Sequence, residues 1–484
     1  MNTKNIFLTT VAAILLLCGC GSDDADDGGG SQTTVTPPRV LSTTPADETT
    51  DVAIGIVNVQ VVYSKTVNMS SDTNLLPTIT GGSLSGTPTV SGSTLSFTLN
   101  CPDYETTVSV TIPKGFIYIN DAQAEAYTFS FTTAQQPVTP PSGNISATPL
   151  TSNAAAQRLY TYFYEQYGQK VISSVMADVN WNTKIADKVH TLTGKYPAMN
   201  CFDFIHIYVP TNNWINYQDI TPVTDWVSAG GIVQLMWHFN VPINATTTPG
   251  SDGSGVTCTP SETSFKVSNA LINGTWENQW FYQQMDKVID VILQLQQQGI
   301  AATWRPFHEA AGNATLREQA SWAKAWFWWG YDGADTYKKL WQAMYTYFKQ
   351  KGVENLIWIW TTQNYNGDSN NYYQDTDWYP GDEYVDIVAR DLYGSNAAQN
   401  AQEFTEIQSV YPTKMVVLGE CGKGDNGEQG LMGDCWTQGA KWGHFMVWYQ
   451  GGSGSTNTMC SDAWWRNAMQ DANVITRDQL PNLK

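Results

Sequence analysis

Eight short apolar runs punctuate the C-terminal two-thirds of the chain, and they restrict its fold more than any other feature. They are Val171–Ala177, Ala198–Ile207, Gly231–Phe239, Ala301–Phe307, Leu356–Trp360, Val385–Ala389, Lys414–Leu418 and His444–Trp448. Each is nearly continuous in apolar side chains rather than alternating, as a strand covered on both faces must be. Stretches with helical spacing of apolar residues lie between them, such as Trp280–Gln298 and Thr336–Lys349. Strands crossed by helices in this way build a parallel sheet. Eight of them in residues 145–484 predict a closed (β/α)8 barrel of the TIM type. The ends of such strands gather at one mouth, and polar or aromatic groups do follow the runs: His238, Glu309, Tyr393, Glu420 and Trp448, with Trp360 closing the fifth.

The N-terminal part differs. Residues 37–134 contain neither Trp nor His, and runs such as Val57–Tyr63 and Thr94–Leu99 alternate apolar with polar side chains. That alternation predicts half-buried strands, and several in about 100 residues predict a small all-β sandwich. Its opening Thr44-Pro45-Ala46-Asp47 and closing Tyr127–Thr133 resemble bacterial Ig-like modules, and its few tyrosines point to a spacer. A Pro-rich linker, residues 135–144, joins it to the barrel.

At the start, the apolar run Ile6–Leu17 is too short to span a membrane and has the form of a signal peptide, residues 1–19. It ends Leu17-Cys18-Gly19-Cys20, which resembles a bacterial lipobox with lipid on Cys20. Residues 20–36 are rich in Asp, Gly and Ser and resemble the tether of surface lipoproteins of Bacteroidota. The chain is therefore expected to be an outer-membrane lipoprotein, exposed at the cell surface and monomeric, working beside surface glycan-uptake proteins. Six cysteines remain outside the signal, and their spacing does not fix any pairing. Five scattered histidines and the lack of CxxC or HExxH give no metal site, and no cofactor is expected.

A net charge of −19 excludes nucleic acid and anionic surfaces as partners. Twenty tryptophans favour a neutral ligand with flat C–H faces, which is what a sugar ring offers. Within that frame Glu309 and Glu420 stand out. Each ends an apolar run, on the fourth and seventh strands by count. A carboxylate at such a position is costly unless the site uses it. Two facing carboxyls suit glycoside hydrolysis, one as acid and base and the other as nucleophile.

The motifs carry the reading further. Arg305-Pro306-Phe307-His308-Glu309, Trp326-Phe327-Trp328-Trp329-Gly330 and Gly419-Glu420, with weaker matches at Trp237-His238-Phe239, Asp391-Leu392-Tyr393-Gly394 and Trp448, resemble glycoside hydrolase family 26 over residues 145–484. The resemblance implies a retaining endo-β-1,4-mannanase acting on mannan, galactomannan or glucomannan. Mixed-linkage β-glucan and β-1,3-xylan are the competing substrates, and a non-catalytic surface glycan-binding protein is the competing class. It further implies Glu309 as acid/base and Glu420 as nucleophile. His238 and His308 would bind the sugar, Tyr393 would orient Glu420, and Trp326 and Trp448, with Trp360 the weaker candidate, would form the platform beneath the sugar. Arg305 would orient the nucleophile or serve as a buried structural arginine. The chain departs from the family pattern at Ala310–Ala325, which separates Glu309 from the aromatic string, and a Gly/Ser/Thr-rich stretch at Asn244–Thr263 follows the third strand.

Overall fold

The computed structural model describes residues 35–134, 144–178, 181–210, 214–312, 325–363, 376–450 and 458–484. The signal segment, Cys20, most of the tether and nearly all of the linker lie outside these residues, as does most of the Ala310–Ala325 stretch. The chain divides into two compact units, residues 1–137 and 138–484.

The first unit is a β-sandwich. One sheet runs Val40–Thr44, Gly55–Tyr63, Thr94–Cys101, Ser83–Ser91, and the other Thr49–Val52, Tyr127–Thr133, Thr107–Ile112, Thr78–Thr80. The alternation seen in the sequence is the burial pattern: Val57, Val59, Val61 and Tyr63 point inward with Leu95, Phe97 and Leu99, and meet Val108, Val110, Phe129 and Phe131 of the other sheet.

The second unit is the barrel. Its strands are β1 Val171–Met176, β2 Met199–Asp203, β3 Ile232–Trp237, β4 Ala302–Pro306, β5 Leu356–Thr362, β6 Ile387–Tyr393, β7 Met415–Gly422 and β8 His444–Val447. All pair in parallel, and β1 bonds both β2 and β8, so the sheet closes. Inside, Met176, Cys201, Met236 and Met446 fill the lumen. Outside, the other strand parity meets the helices. Trp304 of β4 packs on Phe348 of the helix Ala334–Gln350, and Trp358 of β5 packs on Trp341 and Tyr345 of the same helix. The helix Trp276–Gln297 shows how local sequence supports this layer. Thr275 caps it by accepting the amide N–H of Asn278 at 3.1 Å, and Phe281, Met285, Val288, Ile292 and Leu295 recur at helical spacing and are buried.

Two sequence expectations need correction here. The run Ala198–Ile207 is a strand only over Met199–Asp203, with turns beyond it. Trp360 does not face the mouth. It lies in the outer layer, its ring against Tyr379 and Tyr411 at 5.1 and 5.7 Å. The reason is parity: Trp360 shares the outward face of β5 with Trp358, whereas Thr361 points inward and bonds Arg305.

Candidate active site

The inward direction of Glu420 depends on an irregularity in β7. Arg390 pairs with Leu418, but the next residue, Asp391, pairs with Glu420, so Gly419 is an extra residue in the ladder. A bulge re-aims the side chain that follows it. Only glycine fits there, because a Cβ at 419 would stand 2.7 Å from Asp391 Oδ1 and 2.9 Å from Ala389 Cβ. Glu420 is thereby delivered into the lumen beside Asp391. Tyr393 donates its hydroxyl to Glu420 Oε2 at 2.6 Å, and Arg305 Nη2 donates to Oε1. Arg305 is wholly buried, and its Nη1 reaches Asp391 at 2.9 and 3.1 Å and Thr361 Oγ1 at 3.1 Å. One guanidinium thus links β4, β5, β6 and β7 beneath the mouth.

Beyond β4 the chain turns sharply. Phe307 and Glu309 both adopt left-handed backbone, φ 46° and 50°, which side-chain-bearing residues rarely do. Between them His308 is buried, its Nε2 4.0 Å from Glu420 Oε1. The turn is clamped by its neighbours: Tyr337 donates to the Phe307 carbonyl at 3.1 Å, and Trp329 Nε1 to that of His308 at 2.8 Å. Burial pushes the Glu309 carboxyl well above the ordinary glutamate range, and the charges of Asp391 and Glu420 add to it, against Arg305. Burial, with Arg305 and His238 nearby, holds the His308 imidazole well below its usual value, so it is neutral at pH 7.

The third element is β2. Asp203 at its end accepts the ring Nδ1–H of His238 at 2.5 Å and the backbone N–H of His238 at 3.1 Å. A carboxylate only accepts, so Nδ1 carries the hydrogen. The rings of His238 and His308 meet edge to face at 4.5 Å, and Trp448 lies 5.7 Å from His238. Trp448 and Tyr393 also line an open groove of about 980 Å³ that continues over Lys423, Asp425, Asn426 and Gln450.

The structure therefore brings together Glu309, Glu420, His238, His308, Tyr393 and Trp448. Trp326 stands 43% exposed, and it is the next residue, Phe327, whose ring packs on His308 at 5.1 Å and His238 at 5.9 Å. Asp203, Asp391, Thr361 and Phe327 were missed as site residues. Asp203 lies inside the run Ala198–Ile207 and Asp391 stands two residues past Val385–Ala389, so a carboxylate within or beside an apolar run was the signal available in the sequence. Among the described residues no group of His, Cys, Asp or Glu is arranged to hold a metal ion, and Cys101, Cys201, Cys258, Cys421, Cys435 and Cys460 are unpaired.

Comparison with known proteins finds relatives of both units. The profile described as glycosyl hydrolase family 26 matches residues 149–479, and that of a bacterial Ig-like domain matches residues 34–133. A mannan endo-1,4-β-mannosidase of Thermothelomyces thermophilus is 27% identical over 345 residues, 70% of this chain and 63% of that protein. Mannan endo-1,4-β-mannosidase B of a Piromyces species is 28% identical over 342 residues, 68% of this chain and 52% of that protein. The chain thus spans between half and two-thirds of the length of these curated relatives. Among solved structures, the family 26 domain of an endo-β-mannanase/endo-β-glucanase from Prevotella bryantii is 55% identical, covers 69% of this chain and 99% of its own, and superposes with a TM-score of 0.66. A β-mannanase from a symbiotic protist of the termite Reticulitermes speratus, solved with a gluco-manno-oligosaccharide, is 30% identical, covers 70% of this chain and 99% of its own, and gives a TM-score of 0.55.

Proposed function

The chain belongs to glycosyl hydrolase family 26, and we propose that it is a retaining endo-β-1,4-mannanase. The observation that carries the reading is the contrast between two carboxyls at one mouth. Glu420 is held by Tyr393 and Arg305, both donors, which suits an ionised nucleophile. The Glu309 carboxyl is pushed well above the ordinary glutamate range by burial and then by the charges of Asp391 and Glu420, which suits a general acid.

Glu420 attacks the anomeric carbon as Glu309 passes its proton to the departing glycosidic oxygen. The C–O bond to the leaving chain breaks, and an ester bond to Glu420 forms. Glu420 then carries no charge, so one of the influences that raised Glu309 is gone. Glu309 can now take a proton from water as that water attacks the same carbon and releases Glu420. Two inversions give net retention, and such a pair works at a carboxyl separation of about 5–5.5 Å. His238 and His308 would hydrogen-bond the sugar at the cleaved bond. Trp448 offers a flat face beside them.

The substrate reading is supported by the relatives named as mannan endo-1,4-β-mannosidases. Products from linear β-1,4-mannan, galactomannan and barley mixed-linkage glucan test this. Short manno-oligosaccharides from the mannans, with the barley glucan left intact, are the expected result. Cleavage of the barley glucan alone would overturn the substrate while keeping the catalytic pair. No cleavage would favour the non-catalytic glycan-binding reading. The lipobox at Cys20 and the acidic tether support a place on the outer face of the outer membrane, where mannan would be shortened for uptake. Intact cells that leave external mannan uncut, while lysed cells digest it, would refute that location.

A further inference from the structure

A tryptophan outside the constellation stands on the same face of the barrel. Trp214 is 51% exposed, yet its ring is fixed at two points. Its Nε1–H donates to the carbonyl of Ser251 at 3.1 Å, and its ring meets that of His206 edge to face at 4.5 Å. His206 and Trp214 lie in the loop after β2. Ser251 lies in the loop after β3, which is tied back where Tyr208 donates to the Gly253 carbonyl at 3.3 Å. Both loops leave C-terminal strand ends, so Trp214 is on the mouth side of the barrel.

A line of contacts connects it to the mouth. The His206 backbone N–H donates to the Tyr217 hydroxyl at 3.2 Å, that hydroxyl donates to the Asp203 carbonyl at 2.8 Å, and Asp203 holds His238. Burial pushes the His206 imidazole below its usual value, so Trp214 rests on an uncharged ring near pH 7. A single exposed tryptophan needs no explanation, but one immobilised by a bond from its only polar atom does. Its ordering entropy has been lost before any ligand arrives, so a flat partner gains the stacking contact at little further cost.

We propose that Trp214 is the stacking platform of a distal subsite, which takes a β-1,4-linked hexopyranosyl unit several residues along the chain from the bond cut at the mouth. The proposal rests on the glycoside hydrolase reading above. A pyranose ring presents a face of C–H groups to an indole while its hydroxyls point outward to water. A ring at this place would therefore add affinity only for chains long enough to reach it.

The test is kcat/KM for β-1,4-manno-oligosaccharides of three to six units with the wild-type enzyme, Trp214→Ala and Trp214→Phe. The expected loss in Trp214→Ala grows with length, to about tenfold on the hexaose, and stays within about twofold on the shortest substrate cut. Trp214→Phe should recover most of the loss. Equal loss at every length would assign Trp214 a structural role, and no loss at any length would remove the platform; either overturns the proposal. If the wild-type enzyme cuts gluco- but not manno-oligosaccharides, the mannan reading falls, and the same length series on the cleaved sugars still decides on Trp214.

Discussion

Asp203 holds His238 at two atoms: Oδ1 takes its backbone N–H at 3.1 Å and Oδ2 takes its ring Nδ1–H at 2.5 Å. The imidazole can then neither rotate nor change tautomer, and Nε2 is left as an acceptor toward the mouth. Asp203→Asn would present an amide N–H to Nδ1, forcing the hydrogen to Nε2 and inverting what the sugar meets. A loss of about 10–100-fold in kcat/KM is expected, with the thermal midpoint nearly unchanged. Unchanged steady-state rates on mannan would show that the tautomer is not used.

The two glutamates should be separable by leaving group. An aryl β-mannoside with a strongly acidic phenol needs little help from a general acid. Glu309→Ala should therefore still release a stoichiometric burst of phenol and then stall, because the second step lacks its base. Glu420→Ala should give no burst and lose at least about 10³-fold in rate. A burst from Glu420→Ala and none from Glu309→Ala would exchange their roles.

The raised Glu309 also predicts how stability varies with pH. Its folded value lies well above the glutamate value expected in the unfolded chain, through burial and then the charges of Asp391 and Glu420. Below about pH 4 both states carry the proton and the site costs nothing. As pH rises, the unfolded state releases its proton first and gains stability relative to the fold, until pH passes the folded value. Glu309→Gln should thus raise the melting temperature by about 2–4 °C at pH 7 and above. Near pH 4 it should make no difference. Calorimetry across pH 4–9 would check both halves, and a gain that is equal at all pH values would sink the explanation.

Gly419→Ala isolates the bulge. The added methyl would press on Asp391 Oδ1 and on Ala389, both buried. A stability loss of about 1–3 kcal/mol is expected. The fall in kcat should be larger than that loss accounts for, since Glu420 would lose its aim. Denaturant unfolding alongside rates at low temperature would separate the two effects.

Trp360→Ala should behave in the opposite way. Its ring is packed on Tyr379 and Tyr411 in the outer layer, so about 3–5 kcal/mol of stability is at stake. The surviving folded enzyme should keep its kcat. Trp448→Ala should lose activity and keep its fold. Parallel activity and melting measurements on the pair test whether strand parity assigns the tryptophans correctly.

The barrel was legible because a parallel strand covered on both faces leaves an uninterrupted apolar run, and eight such runs have few other arrangements. Glu309 and Glu420 were legible because a carboxylate ending such a run has no structural reason to be there. The same burial hid Trp360: when both faces of a strand are apolar, nothing within Leu356–Thr362 says which parity points inward. Thr361 held the clue only through its bond to Arg305, which lies on another strand. The bulge at Gly419 was equally invisible, since a ladder irregularity depends on the registers of β6 and β8 and not on the run itself. Phe327 was passed over for Trp326 because adjacent aromatics in a string look alike until the backbone shows which one turns toward the histidines.

The left-handed turn at Glu309 sets a conflict between durability and use. Glycine or asparagine would adopt that angle with less strain, so selection for heat resistance alone would draw this position toward them, whereas Phe307 is held by its burial against Phe239, Phe281 and Trp328. A library sorted on survival of the fold would be expected to enrich such replacements at 309 and to fill with sturdy, inactive proteins. Sorting on released sugar would return the glutamate. The corner thus marks where the demands of lasting and of working part company in this chain.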